Sequence, residues 1–284
     1  MCRIFGFRSV IPSQVHRSLV AADNALGSQS EAHPDGWGVA FYVDGSPHVT
    51  RMPSMALDDT LFHRLSGVVS SETVLAHVRR ATVGDKTVLN CHPFQYGRWT
   101  FAHNGDIPGF TDKRERLMQE VAPRLRRFVL GDTDSEVVFF VLLTELQRHG
   151  PLTSRHGVEE VMEAVRMTLN RVRSLCDNGS DDLALLTFII TDGVTLVGTQ
   201  GGRELYVSTY KTRCSDREVC PHLAPECEAA TTTGFINHLV FSSEVIAGDN
   251  VWQELQPGDI IGVDWRMLLR RAHAEKRALP LAAS

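Results

Sequence analysis

Long hydrophobic runs are missing from this sequence. No stretch reaches the roughly 18 apolar residues a helix needs to span a bilayer, so no membrane partner is expected. A basic excess is missing too: 29 Lys and Arg stand against 34 Asp and Glu, a net charge of −5. That balance argues against a nucleic-acid partner. The first residues, Met1-Cys2-Arg3-Ile4-Phe5, lack the apolar core of a secretory signal, so a cytoplasmic location is expected. Six cysteines in 284 residues are too few for a disulfide scaffold. In a reducing compartment they are expected to be thiols, metal ligands or nucleophiles. Internal repeats and low-complexity tracts are also absent. What remains is an ordinary globular composition, 43% hydrophobic and 22% charged. The length lies near the roughly 250–300 residues at which one core stops growing.

The elements read as strands, then helices, then strands again. Ile4 to Phe7 is a short apolar strand. Val39 to Val43 and Pro47 to Arg51 flank Asp44-Gly45-Ser46, a hairpin turn. Val74 to Val78 and Trp99 to His103 are further strands, each running directly into polar residues. Thr133-x-x-Glu136 is a capping-box pattern ahead of the run Val137 to Leu143, which is apolar all round and predicts a buried helix. Val158, Val161, Met162, Val165, Leu169 and Val172 share one helix face, with charges opposite. Leu183 to Thr191 and Val194 to Thr199 bracket the turn Asp192-Gly193. Glu204 to Thr209, His238 to Ser242 and Asp259 to Val263 add strands. Residues 210–237 have no apolar periodicity and read as a loop insertion. Residues 266–284 read as a peripheral surface helix. Paired sheets with helices on their outer faces fit this order.

Four segments carry chemistry. If Met1 is removed, Cys2 holds a thiol and a free α-amino group on one residue. Such an amine titrates near pH ~7.7–8.0 and can take the thiol proton. The strand end His77-Val78-Arg79-Arg80 offers guanidinium groups, the side chain best suited to a planar carboxylate. His103-Asn104-Gly105 offers a side-chain amide and a backbone N–H for one oxyanion. Asp134, in the first turn of a helix, can meet an ammonium, although acids there also complement the helix dipole. A substrate with a carboxylate, an ammonium and a carbonyl open to attack fits this set. Glutamine and γ-glutamyl compounds have all three groups.

The motifs Met1-Cys2-Arg3, Asp35-Gly36-Trp37-Gly38, His77-Val78-Arg79-Arg80-Ala81-Thr82, His92-Pro93-Phe94, His103-Asn104-Gly105 and Thr133-Asp134-Ser135-Glu136 occur in one order over about the first half of the chain. Together they make the sequence resemble the class II, N-terminal nucleophile glutamine amidotransferases. The likeness is to the stand-alone branch that includes the ergothioneine-pathway amidohydrolase and the glutathione-degrading amidotransferase subunit. The resemblance implies an α+β fold, the four-layer αββα sandwich of N-terminal nucleophile hydrolases, in a single domain over 2–284. It implies that Cys2 is the nucleophile, Asn104 and Gly105 the oxyanion hole, Arg79 the holder of the α-carboxylate and Asp134 of the α-ammonium. Arg79 takes precedence over Arg80 because it occupies the family's His-x-Arg position. No cofactor and no metal are implied, and a separate synthase or peptidase subunit is an implied partner.

Three features lie outside this reading. Cys91-His92 is a rival nucleophile pair, although neighbours on a strand point to opposite faces. Asp35-Gly36-Trp37-Gly38 is expected as a tight turn near the pocket, with its Trp a packing residue. Cys214, Cys220, His222 and Cys227 are donors enough for zinc, but their spacing departs from the usual close pairs. The leading function is an amidohydrolase acting on glutamine or a γ-glutamyl compound. The alternative is a silent glutamine- or γ-glutamyl-binding regulatory subunit.

Overall fold

The computed structural model describes residues 2–177, 182–215, 217–218 and 220–275. The strands are β1 Arg3–Gln14, β2 Gly36–Val43, β3 Ser46–Met52, β4 Ser70–Arg79, β5 Phe94–Tyr96, β6 Trp99–Asp106, β7 Leu185–Thr191, β8 Leu196–Thr199, β9 Tyr206–Lys211, β10 His238–Ser242, β11 Asn250–Glu254, β12 Asp259–Val263 and β13 Arg270–His273. The helices are α1 Leu26–Gln29, α2 Thr60–Val68, α3 Phe110–Glu120, α4 Pro123–Arg126, α5 Asp134–Leu146 and α6 Val158–Cys176.

The strands form two antiparallel sheets. One runs β11-β9-β10-β1-β4-β2-β3 and the other β13-β12-β8-β7-β6-β5. Strand alternation sends every second side chain into the space between them. Ile4 from β1, Leu75 from β4, Ala102 from β6, Ile189 from β7 and Phe241 from β10 meet there in one buried cluster. The outer face of the first sheet packs Phe5, Val39, Val74 and Val240 with Leu26 of α1 and Phe62 of α2. The outer face of the second packs Phe101 and Phe188 against Phe139, Val165 and Leu169 of the two long helices. The result is the expected αββα sandwich.

Helix α5 is enclosed, every residue but Thr144 being buried, which is why its sequence has no polar stripe. Its cap uses half of the expected box: the Thr133 hydroxyl accepts from the Glu136 amide at 3.3 Å. The Glu136 carboxylate instead accepts from the Leu130 and Gly131 amides at 3.2 and 2.6 Å. Helix α6 buries Val158, Val161, Met162, Val165, Leu169 and Val172 as its spacing predicts.

Several elements differ from the sequence reading. β1 has 12 residues rather than four, because it lies between β4 and β10 and is paired along both edges. The connection after β7 takes Asp192 to Thr195, with Asp192 Oδ1 accepting from the Val194 and Thr195 amides at 3.0 and 2.8 Å. The segment after Trp265 is not helical as far as it is described: Arg270–His273 forms β13, paired with β12 at the sheet edge. The remainder of the expected helix, 276–284, lies outside the described residues. Residues 212–237 hold no strand among those described, only the single turn Pro225–Cys227.

Candidate active site

Cys2 sits where β1 begins, beside the end of β4, because the β1–β4 register places Arg3 opposite Val78. Its thiol is half-buried and lies 3.4 Å from the Arg80 amide, which can donate to the sulfur. Burial pushes the thiol up from its usual range, while the Arg80 amide and the Arg79 guanidinium pull it down and Asp134 pushes it up. Arg79 and Asp134 therefore both act electrostatically on this sulfur. Cys2 and Arg80, 78 positions apart in sequence, thus meet where β1 begins and β4 ends.

Arg79, the last residue of β4, is buried. Its Nη2 donates to the Val83 and Gly84 carbonyls at 2.9 and 3.2 Å, and Nη1 to the Asp85 carbonyl at 3.1 Å. Three of a guanidinium's five donors are thus held by the following loop, and two are left for a ligand. The group is fixed in place before any carboxylate arrives. The strand end is itself clamped by Asp35, whose amide donates to the Arg79 carbonyl at 3.0 Å. The Asp35 carboxylate accepts from the Ala81 amide at 2.8 Å and pairs with Lys86.

Asn104 and Gly105 close β6. Asn104 is buried, and its amide oxygen has no hydrogen-bond partner. A buried acceptor without a protein donor costs about 1–3 kcal/mol. A Cβ on Gly105 would lie 1.8 Å from the Leu185 carbonyl oxygen and 2.3 Å from His103 Nε2. The β6–β7 ladder holds the Leu185 carbonyl, and His103 Nε2 is bonded to it at 2.9 Å, so no side chain fits. Gly105→Ala is expected to destabilise the fold by roughly 1–3 kcal/mol or more, read from the urea midpoint. A midpoint within error of the parent would contradict this.

Asp134 is the first residue of α5 and is buried. Its Oδ2 accepts from the Ile107 amide at 2.8 Å and Oδ1 from the Ser135 amide at 2.7 Å. Burial raises this carboxyl above the ordinary range, and His103 opposes the rise.

Three histidines lie beneath these groups. His77 Nε2 donates across the two sheets to the His103 carbonyl at 3.2 Å. The His77 and His92 rings lie with centroids 4.1 Å apart, tilted 32° to each other. Burial pushes His77 down to about 3, and His238, the first residue of β10, down to about 4. Both remain neutral in the folded chain, while an unfolded histidine takes a proton near pH ~6.5. The stability they contribute is complete above that value and is lost as pH falls from ~6.5 toward their folded values. Each is expected to cost about 2 kcal/mol by pH ~5. His77→Gln is expected to flatten the acid limb of a stability–pH profile; an unchanged slope would argue against this.

The remaining sequence expectations sort as follows. Arg80 lends its backbone amide to the thiol, and Arg79 is the buried guanidinium. Of Asp35-Gly36-Trp37-Gly38, Asp35 lies in the expected turn, and Gly36-Trp37-Gly38 already opens β2. A Cβ on Gly38 would lie 2.1 Å from the His92 carbonyl oxygen, so these glycines let β2 approach the Cys91-His92 segment. Trp37 is fully buried, donates to Asp59 at 2.9 Å and meets Phe62 edge-on, a packing role. Cys91 is buried, donates to the Thr87 carbonyl at 3.3 Å and is pushed up by burial. His92 instead faces His77 and Phe94, so the two side chains form no nucleophile–base pair. Among the described residues no three His, Cys, Asp or Glu side chains gather as metal ligands, and Cys227 accepts from Asn237 at 2.9 Å. The sequence reading did not single out Asp35, His77 or Ser135 as supporting groups. The motifs containing them carried the only signal.

A family model described as class-II glutamine amidotransferases matches residues 1–268. The probable glutamine amidotransferase DUG3 of Saccharomyces cerevisiae is 27% identical over 250 residues, 79% of this chain and 68% of that one. The γ-glutamyl-hercynylcysteine sulfoxide hydrolase of Mycobacterium tuberculosis is 33% identical over 119 residues, 38% of this chain and 50% of that one. A solved glutamine aminotransferase class-II domain protein from Silicibacter pomeroyi superposes with a TM-score of 0.65 at 21% identity. That superposition covers 96% of this chain and 99% of the other, and at this identity it speaks to the fold alone.

Proposed function

This chain belongs to the class II glutamine amidotransferases, and from that premise we propose an amidohydrolase that opens the γ-glutamyl amide of glutamine or a γ-glutamyl compound. One observation carries the reading: the Cys2 thiol lies 3.4 Å from the Arg80 amide, at the end of the strand that bears the buried Arg79 guanidinium, and the buried Asp134 carboxyl also bears on its ionisation. A glutamyl head group needs both, one for its carboxylate and one for its ammonium.

In the proposed sequence, removal of Met1 makes the α-amino group part of Cys2. Burial keeps the thiol protonated, so a base must act, and the amine takes the proton. The thiolate attacks the γ-carbonyl carbon. The oxygen, now negative, is met by the Asn104 side-chain amide and the Gly105 N–H, donors that matter because charge develops there. Collapse breaks the C–N bond, and ammonia or an amine leaves with the proton held by the Cys2 ammonium. Water then attacks the thioester, restoring the thiol and releasing glutamate.

The name of the Mycobacterium tuberculosis relative, a γ-glutamyl hydrolase, supports including γ-glutamyl compounds beside free glutamine. No helix among the described residues is long and apolar enough to cross a membrane, and we propose that the reaction takes place in the cytoplasm. The partner we propose is a separate synthase or peptidase subunit. The test is incubation of purified protein with glutamine and a panel of γ-glutamyl amides, following glutamate release and the acyl-enzyme mass. Glutamate release with a transient γ-glutamyl adduct on the peptide carrying Cys2 is expected. Binding of glutamate without turnover of any amide would favour a silent regulatory subunit instead.

A further inference from the structure

The two halves of the proposed site are joined by a buried hydrogen-bonded chain. His103 precedes the oxyanion pair on β6, and Asp134 opens α5. Between them stands Ser135. His103 Nε2 lies 2.9 Å from the Leu185 carbonyl oxygen, so Nε2 must carry a hydrogen and donate it. His103 Nδ1 lies 2.8 Å from Ser135 Oγ, and Ser135 Oγ lies 3.2 Å from Asp134 Oδ1. All three side chains are at most 5% exposed.

A serine hydroxyl has one hydrogen, so this geometry admits two fully bonded states. In the first, Asp134 is protonated and donates to Ser135 Oγ, and Ser135 donates to an unprotonated His103 Nδ1. In the second, His103 Nδ1 is protonated and donates to Ser135 Oγ, and Ser135 donates to the Asp134 carboxylate. A third arrangement, neutral histidine beside ionised aspartate, sets a serine lone pair against a carboxylate oxygen. Both bonded states hold the same number of hydrogens and carry no net charge.

We propose that Ser135 and His103 are positioning residues that pass one proton between Asp134 and His103, so that Asp134 is ionised only when an ammonium is bound beside it. This rests on the proposed role of Asp134 as the ammonium holder. In the empty site the proton sits on Asp134, which spares the buried site an unpaired ion pair. When the substrate ammonium arrives, the Asp134 proton moves to Ser135 Oγ while the Ser135 hydrogen moves to His103 Nδ1. Two O–H bonds break, at Asp134 Oδ1 and Ser135 Oγ, and one O–H bond at Ser135 Oγ and one N–H bond at His103 Nδ1 form, so no proton leaves the chain. The directions of both groups agree, since burial lifts Asp134 and depresses His103. The titratable and charged groups around His103 are Asp134 on α5, Asp106 on its own strand, His77 on β4 and His92 before β5. Phe101 and Phe188 cover its ring. Neither His77 nor His92 can stand in for the relay, because His77 is bonded to the His103 carbonyl and His92 has no hydrogen-bond partner at either ring nitrogen.

The test is nitrogen NMR of histidine-labelled protein with L-glutamate, the expected product, as the probe, its binding followed separately by calorimetry. His103 Nδ1 is expected to be unprotonated in the free protein and protonated at saturating glutamate. Glutamate binding without movement of that resonance overturns the relay and leaves the proposed function standing. Absence of glutamate binding overturns both. Ser135→Ala, which removes one hydroxyl and keeps the fold, is expected to raise KM roughly tenfold with a smaller change in kcat, and to abolish the glutamate-induced shift. Ser135→Thr is expected to restore both. A Ser135→Ala protein with parental KM and an unaltered shift overturns the proposal.

Discussion

Cys2→Ala is expected to lower glutamate release from a γ-glutamyl amide by at least about 10⁴-fold. The loss falls on kcat, because the substitution removes the bond-forming atom and leaves Arg79 and Asp134 to bind the head group. The fold is expected to survive, since among the described residues the half-buried thiol's hydrogen-bond contacts are with the Arg80 backbone. Binding of glutamate by the variant, measured calorimetrically, separates lost chemistry from lost structure. The pH dependence has a definite sign. An amine that must accept the thiol proton works only when neutral, so kcat/KM is expected to rise with pH through ~7.7–8.0. Protein that retains Met1 is expected to be inactive, because its free amine then belongs to another residue. A turnover near the parental rate in Cys2→Ala would remove Cys2 from the chemistry altogether.

Asn104→Ala is expected to reduce kcat by about 10²–10³-fold, the usual consequence of losing one oxyanion donor. KM is expected to change far less, since the amide meets charge that exists only in the tetrahedral intermediate. Stability offers an independent reading. The Asn104 oxygen has no partner in the folded chain, so removing it relieves an unsatisfied acceptor and offsets part of the volume lost. The urea midpoint should therefore move little while the rate collapses. A rate within a few-fold of the parent would assign the oxyanion to other donors, the Gly105 N–H among them.

Patterns with a strong local cause could be read directly. The Asp44-Gly45 turn has both residues at positive φ, 49° and 76°, a conformation that the Asp-Gly pair favours. The all-apolar run of α5 announced a helix closed on every side, and the striped run of α6 announced one with a wet face. Where local cause was weak the reading failed. β13 carries Arg270 and Arg271 in an edge strand, and charges suit an edge that must resist further pairing. The same residues read as a surface helix when only their composition was weighed. β11 was missed because Asn250 and Gln253 interrupt its alternation, and its pairing with β9 supplies what the pattern does not.

The sequence by itself determined the residue types of the site and their places at strand and helix ends, because short motifs fix turns, caps and donor geometry within a few residues. It also determined which faces are apolar, and so that two sheets would close on each other. Only the tertiary structure decided that the loop carbonyls of Val83, Gly84 and Asp85 hold the Arg79 guanidinium, that the Arg80 amide meets the Cys2 thiol, and that Ser135 bridges His103 to Asp134. Those are outcomes of sheet register and of two layers meeting. Contacts between residues tens of positions apart depend on how elements pack, and no local pattern encodes that distance.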